Sequence, residues 1–355
     1  MAYRVIQWAT GGVGRGALEG ILDHPELELV GCWVHSPEKS GRDVGELIGR
    51  EPVGVTATQD AEAIFEMDAD CVLYAPLLPQ TAEVVRILAS GKNVVTPLGW
   101  FYPKALDTAA VEEACRAGGA TLHGTGIHPG GITERFPLMV SALSARITHV
   151  RAEEFSDIRT YGAVEVIRDV MLFGKPLDVA RKSPMLAILS GGFLQSIDMV
   201  ADTLGMPLDE EKASRHEMAV ATAPIESPIG EIGEGLVAAQ RFTWQGTVGG
   251  EPVITVRVNW LMGQDSLDPA WEFGEEGERF EVEVTGDPSV ALTFHGLHPE
   301  SIAAGLKRNP GIVATATHCV SAIPYVCRAQ PGIQTYLDLP LVAGRAAPRL
   351  RGGRP

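Results

Sequence analysis

Four glycines fall within six residues, at positions 11, 12, 14 and 16 of TGGVGRG. They follow a short apolar run, Tyr3 to Trp8, and lead into the helical pattern GALEGILD. Strand, glycine turn and helix in that order form the entry to a βαβ unit, which leaves few folds open. Gly11 suits the tight turn. Gly12 and Gly14 let the main chain approach a pyrophosphate, and the helix start aims free N–H groups at the negative charge. Thr10, Gly11, Gly12, Val13 and Gly14 are therefore the first candidate cofactor contacts.

The pattern then repeats. A second strand is expected over Leu27–Val34, with further apolar segments at Cys71–Tyr74, Asn93–Thr96 and Thr121–His123. Helical stretches over 60–67, 80–90 and 105–117 separate them, with Gly91 and Gly118 where helix C-caps belong. Such alternation specifies a parallel sheet covered on both faces. Ligands of open parallel sheets lie beyond the carboxyl ends of the strands. That nominates Ala75, Pro76, Thr96, Pro97 and the segment from Gly126 to Pro129, with Gly126 against the cofactor.

The end of the second strand bears on which nicotinamide cofactor is used. An NAD site usually carries Asp or Glu there. Here the strand runs out as Trp33-Val34-His35-Ser36-Pro37-Glu38-Lys39, with Arg42 close behind. His35, Ser36, Lys39 and Arg42 stand where a 2′-phosphate would lie, which favours NADP, with NAD as the alternative. A solvated loop with ordinary charges is the competing reading.

The pattern changes from about Arg146. His149–Phe155 reads as a strand and Ala163 to about Gly205 as helical segments. Ile254, Val256, Val258 and Trp260 alternate with Thr255, Arg257 and Asn259, the signature of a half-buried strand. It pairs with Arg241–Val248 across the Gly249-Gly250 turn. Phe280–Val284 and Val290–Phe294 add strands. The fold class expected is α/β: an N-terminal Rossmann domain with a parallel sheet, plus an α+β domain with an open, mainly antiparallel sheet. The sheet of the second domain could cover a substrate and pair two copies. Asn309 to Ala329, with Ala316, His318, Ala322 and Tyr325, reads as an apolar helix that returns to the Rossmann half. The expected boundaries are 1–135, 136–305 for substrate binding and dimerisation, 306–343 for the returning segment, and 344–355 for a flexible tail.

With 355 residues the chain is long enough for two cores, and its 45% hydrophobic and 21% charged content is that of a globular protein. A formal net charge of −16 argues against nucleic-acid or anionic-membrane partners. No run of about eighteen apolar residues is present, and the chain opens directly on a strand, so a cytoplasmic location is expected. The five cysteines are scattered and odd in number, as reduced, buried thiols would be.

Hydride chemistry needs proton handling as well as geometry. His128, at a strand end between glycines, is the first candidate donor, because imidazole titrates near neutral pH. Glu154 could anchor a substrate cation or form an ordinary salt bridge. Tyr161 could donate from its hydroxyl or simply pack. These three are the catalytic candidates; no metal spacing is present. Trp100, Phe101, Tyr102 and Phe155 could line an apolar pocket or belong to the core, and His318 reads as a satisfied core histidine.

The segments VIQWATGGVGRGALEGI, LVGCWVHSPEKSGRDVGEL, GKNVVTPLGWFYP and GTGIHPGG together resemble the dihydrodipicolinate reductase-like superfamily. Within it, the chain is most similar to the branch of 2,4-diaminopentanoate dehydrogenases and native amine dehydrogenases. The resemblance implies NAD(P)H-dependent reduction of an imine or carbonyl, on a small-molecule carbonyl, imine or amine substrate, by a homodimer. It also marks departures. The His-His-x-x-x-Lys segment of dihydrodipicolinate reductases is absent. The branch carries a glutamate shortly after the VVT strand, and Leu98 stands there. The family tends to have Asn at the position of His128. The reading is thus a reductase of a small, fairly apolar substrate. Two rivals stay open: another dehydrogenase chemistry with Lys92 or Lys104 as acid–base group, and a non-catalytic NADP-binding sensor.

Overall fold

The computed structural model describes residues 2–350, so the last five residues of the expected tail lie outside the described residues. The chain divides into two compact units, Met1–Gly126 with Ile312–Pro355, and Ile127–Gly311.

The first unit is built on a seven-stranded, all-parallel sheet. Six of its strands come from the first part of the chain: β1 (Tyr3–Trp8), β2 (Leu27–Trp33), β3 (Ala57–Thr58), β4 (Cys71–Tyr74), β5 (Asn93–Thr96) and β6 (Thr121–Gly124). Helices α1 (Gly12–Asp23), α2 (Val44–Leu47), α3 (Ala61–Glu66), α4 (Thr81–Ala89) and α5 (Ala109–Gly118) connect them. Side chains alternate across the sheet with period two. Val5, Leu73 and Val95 pack into the core that holds α1, whereas Ile6, Val72, Tyr74 and Val94 pack into the core that holds α4 and α5. Both faces are covered, which is why these strands read as unbroken apolar runs. Gly119, not Gly118, takes the left-handed conformation that ends α5. Gly118 is required for a different reason: a Cβ there would sit 1.9 Å from the Leu88 carbonyl oxygen, where α4 and α5 meet.

The second unit holds β7 (Ala145–Asp157), β8 (Ala213–Ala221), β9 (Val237–Val248), β10 (Glu251–Leu261), β11 (Leu267–Asp268), β12 (Arg279–Asp287) and β13 (Val290–Phe294). They form one sheet in the order β11-β8-β9-β10-β7-β12-β13. The hairpin across Gly249-Gly250 is present, with Val248 opposite Glu251. The sheet is not antiparallel throughout, because β7 and β10 run parallel, with Ile254 opposite Val150. Alternation within a strand reveals its buried face but not the direction of its neighbour. Strand β8 escaped the sequence reading because its outer half, from Ala213, is mostly exposed and carries little apolar signal.

The helical segments expected over 163–205 are a π-helical turn (Val166–Val170), α7 (Leu177–Ala180) and α8 (Met185–Leu204), with α6 (Phe136–Ser141) before β7. Phe193, Ile197 and Val200 of α8 lie in the core against Val256, Val258, Phe242 and Trp244. By length and composition α8 is apolar enough to cross a membrane, although nearly half of it is buried here in a protein core. Two more helices follow, α9 (Ile302–Lys307) and α10 (Pro310–Val326). Cys319, Val320, Ile323 and Val326 of α10 join the core of α1 in the first unit. A last strand, β14 (Gly332–Ile333), adds itself beside β6 as the edge of the parallel sheet.

Candidate active site

The glycine turn between β1 and α1 is held by its own backbone geometry. Ala9 takes a left-handed conformation (φ 72°). The buried Gln7 amide donates to the Trp8 and Ala9 carbonyls at 3.2 and 2.9 Å, which pins the bend. A Cβ on Gly14 would lie 2.1 Å from the Ala9 carbonyl oxygen, so only glycine lets α1 start this close to β1. Gly11 and Gly12 are exposed, Val13 is half-buried, and no side chain caps α1. The helix start is left open to an anion, as a dinucleotide pyrophosphate requires.

At the tip of β2, His35 is exposed and Ser36 half-buried at the start of a short 3-10 turn. The Lys39 ammonium reaches back to the glycine turn and donates to the Thr10 carbonyl and hydroxyl at 3.4 and 3.3 Å. Arg42 is half-exposed and lies 4.0 Å from Glu46. Glu38 is exposed in that turn, and the next acid, Asp43, accepts from the Val53, Gly45 and Gly54 amides, which hold its carboxyl below the usual range. It therefore serves the loop. On the neighbouring strand ends, Ala75 and Thr96 are buried and Pro76 and Pro97 half-buried. Thr96 accepts from the Leu98 N–H, and Leu98 packs among apolar residues with Trp100. The Gly126 carbonyl bonds His318 Nδ1 at 2.5 Å. His318 also stacks on Tyr336, the partnered state expected of it.

In the second unit a carboxylate occupies an apolar row. Val150, Ala152, Glu154 and Ser156 follow one another along one face of β7, and the first two are core residues. Glu154 lies opposite Val258 of β10 and Phe280 of β12. Its Oε1 accepts from the Ser156 hydroxyl at 2.7 Å and from Trp260 Nε1 at 2.9 Å. Its Oε2 points instead at His128 Nε2, 3.8 Å away, too far for a hydrogen bond. Glu154 is 13% exposed and His128 only 3%. Burial pushes the Glu154 carboxyl up, and the Ser156 and Trp260 donors hold it down in part.

Burial likewise drives His128 down to about 3, and the Arg257 backbone carbonyl, beside the ring but outside hydrogen-bonding geometry, offsets this only in small part. The imidazole is therefore neutral at neutral pH and does not titrate there as expected. Both its ring nitrogens are buried without a partner, and Phe193 and Phe280 pack on the ring. Tyr161 is half-buried beside the core, and burial together with the Glu154 charge raises its phenol. So the structure brings His128, Glu154 and Tyr161 into one neighbourhood.

A second buried carboxylate braces this neighbourhood. Glu134 lies in a π-helical turn (Gly131–Arg135) just after the His128 segment. It accepts from the Gly130 N–H and the Thr133 hydroxyl, each at 2.6 Å, and from the Ser196 hydroxyl of α8. Burial pushes its carboxyl up to about 7.

Other readings move. Lys92 is no acid–base group: it is 4% exposed, and its ammonium donates to the Phe65 carbonyl at 2.7 Å and the Ser90 hydroxyl. Trp100 and Phe101 are core residues, and Phe155 lies under the Arg279 guanidinium at 4.0 Å. No salt bridge to Lys or Arg engages Glu154 among the described residues. Ser156, Trp260, His298 and Glu134 were not foreseen. The signal available for Glu154 and Ser156 was their place in the period-two row that begins Val150, Ala152.

Parallel Rossmann sheet, open glycine turn and separate α/β unit with a buried carboxylate together define a nicotinamide-dependent oxidoreductase of two-unit construction. Residues 133–348 match the 2,4-diaminopentanoate dehydrogenase C-terminal domain, and residues 5–96 match the N-terminus of dihydrodipicolinate reductase. The chain belongs to the 2,4-diaminopentanoate dehydrogenase family of the dihydrodipicolinate reductase-like superfamily. It is 33% identical to an amine dehydrogenase of Streptomyces virginiae, over 95% of this chain and 96% of that one. It is 25% identical to 2,4-diaminopentanoate dehydrogenase of Acetoanaerobium sticklandii, over 95% and 93%. The structure of amine dehydrogenase from Mycobacterium smegmatis superposes with a TM-score of 0.76 at 22% identity, over 97% of this chain and 98% of that one. The protein is an NAD(P)-dependent oxidoreductase of the amine dehydrogenase and dihydrodipicolinate reductase-like type.

Proposed function

We propose that the protein interconverts a small, fairly apolar amine and its carbonyl compound through the imine, with NADP preferred over NAD. The observation that carries this reading is the half-used carboxylate of Glu154. One oxygen is saturated by Ser156 and Trp260; the other faces the unpartnered Nε2 of His128. Buried polar atoms without partners are costly, and two acceptors aimed at one point suit a donor-rich ammonium or amine. Glu154 thus supplies the carboxylate that the branch has at the position of Leu98, from a different strand. Neutral His128 accepts a second N–H, and Tyr161 stands by as a hydroxyl donor.

The Phe193, Phe280 and Trp260 side chains around this point favour an apolar substituent. The cofactor would be held by Thr10, Gly11, Gly12, Val13 and Gly14 at the pyrophosphate, and by Ala75, Pro76, Thr96, Pro97 and Gly126 along the strand ends. When bound, nicotinamide exchanges a hydride with the substrate carbon. The NADP preference rests on His35, Ser36, Lys39 and Arg42, together with the engagement of Asp43 by loop amides. A homodimer is proposed from the family resemblance.

The test is oxidation of NADPH and NADH, followed at the reduced-nicotinamide absorbance band, with a panel of ketones and aldehydes with and without ammonium. Ammonium-dependent turnover is expected. Turnover without ammonium would replace this reading by a carbonyl reductase. Cofactor binding with no turnover in any condition would replace it by a sensor.

A further inference from the structure

Glu154 is linked to a residue that no sequence motif singles out. His298 lies in the loop after β13, with its ring stacked on Phe280 of β12 (centroids 4.9 Å apart). Its Nε2 is 2.9 Å from the Ser156 hydroxyl oxygen, which is 2.7 Å from Glu154 Oε1. The Ser156 hydroxyl has one proton for these two neighbours, so the tautomer of His298 decides where that proton goes. In the Nδ1–H tautomer a buried N–H has no acceptor, and Nε2 competes with the carboxylate for the Ser156 proton. In the Nε2–H tautomer both contacts are satisfied, and the atom left over, Nδ1, is only an acceptor. A buried N–H without a partner is the rarer fault in folded proteins. The structure therefore favours Nε2–H: His298 donates to Ser156, and Ser156 donates to Glu154.

We propose that His298 is a positioning residue that, through Ser156, holds Glu154 Oε1 as an acceptor and leaves Oε2 turned to the substrate. The proposal rests on the reading of Glu154 as the carboxylate facing the amine. No proton travels along the chain, and its hydrogen positions are the same before and after turnover. Trp260 donates to the same oxygen from β10, and an indole N–H has a fixed direction. The Ser156 hydroxyl can rotate, so it needs a donor behind it to fix its aim.

This arrangement also sets when Glu154 can accept an amine N–H, because only the ionised form has the oxygen free to do so. A donor bonded to the charged form favours ionisation. Ser156 is the stronger of the two donors that hold the Glu154 carboxyl down against burial. Burial, and less so the His295 charge, push His298 down to about 4, so it acts as a neutral donor at neutral pH. His295 itself lies 3.8 Å from Glu276. The titratable groups around Glu154 are His128, Tyr161 after β7, and Glu278 before β12, the last pushed up to about 7 by burial. Its strand neighbours Val258 and Phe280 carry no charge.

The test is the pH profile of kcat/KM for NADPH oxidation, with ammonium chloride and the fastest ketone or aldehyde of the panel. Free ammonia and Glu278 vary with pH alike in every variant, so the difference from wild type is read. E154Q comes first: wild-type turnover in it would overturn the reading of Glu154 and this proposal together. With E154Q inactive, S156A should move the acid limb up by about one pH unit, a loss of about tenfold below the limb. H298F keeps a ring on Phe280 but cannot donate, and should move the limb the same way by about half a unit. H298Q, whose amide can donate to Ser156, should restore the limb. An unmoved limb, a uniform loss at every pH, or an equal shift in H298Q and H298F would overturn the proposal while sparing Glu154. Independently of turnover, 15N chemical shifts of the wild-type histidines should report His298 as the neutral Nε2–H tautomer. Finding the Nδ1–H tautomer would overturn the proposal.

Discussion

The candidate sites of the two units are built in opposite ways. In the first, the candidate cofactor contacts are main chain: Gly11 and Gly12 are exposed, Gly14 packs against a carbonyl, and no side chain caps α1. In the second, the candidate site is made of side chains, gathered from β7, β10 and the loops before β7 and after β13. A backbone device is local and needs contiguous residues. A side-chain device needs the sheet to bring residues together from up to 170 positions apart, as His128 and His298 are. The cofactor half reuses a general anion cradle, whereas the carboxylate half can relocate its acid, as it has if Glu154 replaces the residue missing at Leu98.

Four experiments would break or sharpen this contrast. The largest effect on stability is expected from Gly14→Ala. The added carbon meets the Ala9 backbone at 2.1 Å, and backbone cannot give as a flexible side chain can. A loss of about 3 kcal/mol in stability is expected, with at least a tenfold loss in NADPH affinity, read by thermal melting and cofactor titration. Retained affinity and melting would mean that the turn is less rigid than its geometry implies.

Next, Glu154→Gln should lower kcat about a thousandfold while leaving the NADPH dissociation constant unchanged. A matched loss of cofactor affinity would dissolve the distinction between the two halves.

Glu134→Gln probes the brace below His128. Burial raises the native Glu134 carboxyl to about 7, above its value in the unfolded chain. The native state then binds the proton more tightly, so Glu134 withdraws stability as pH rises from about 4.5 through 7. The variant lacks that ionisation. Its melting temperature should gain on wild type across this window, by a difference worth about 1–3 kcal/mol. A constant offset at every pH would show that Glu134 stays in one protonation state.

Lys39→Ala should have the smallest effect, about three- to tenfold on NADPH binding and none on NADH. Equal weakening of both cofactors would assign Lys39 to the Thr10 contact alone.

Legibility followed the same divide. The βαβ run and the glycine turn were readable because every relevant residue lies within a short stretch and the strands are buried on both faces. So were the Gly249-Gly250 hairpin and the apolar helix near the C-terminus. In the second unit, His128, Glu154 and Tyr161 were picked out singly, each with a competing reading. Their convergence was not visible, nor were Trp260 and His298, since nothing in a strand's own alternation names its neighbours. The parallel pairing of β7 with β10 was missed for that reason.

What the sequence by itself determined is the parallel sheet, the open anion-binding turn and the apolar rows of the strands, because periodicity and glycine placement are local properties of the chain. What only the tertiary structure decided is which polar atoms are left over. A buried carboxylate has a free oxygen, and an imidazole has no partner, only after the packing around them has directed the neighbouring donors elsewhere. That balance depends on residues far apart in the chain, so no short segment encodes it.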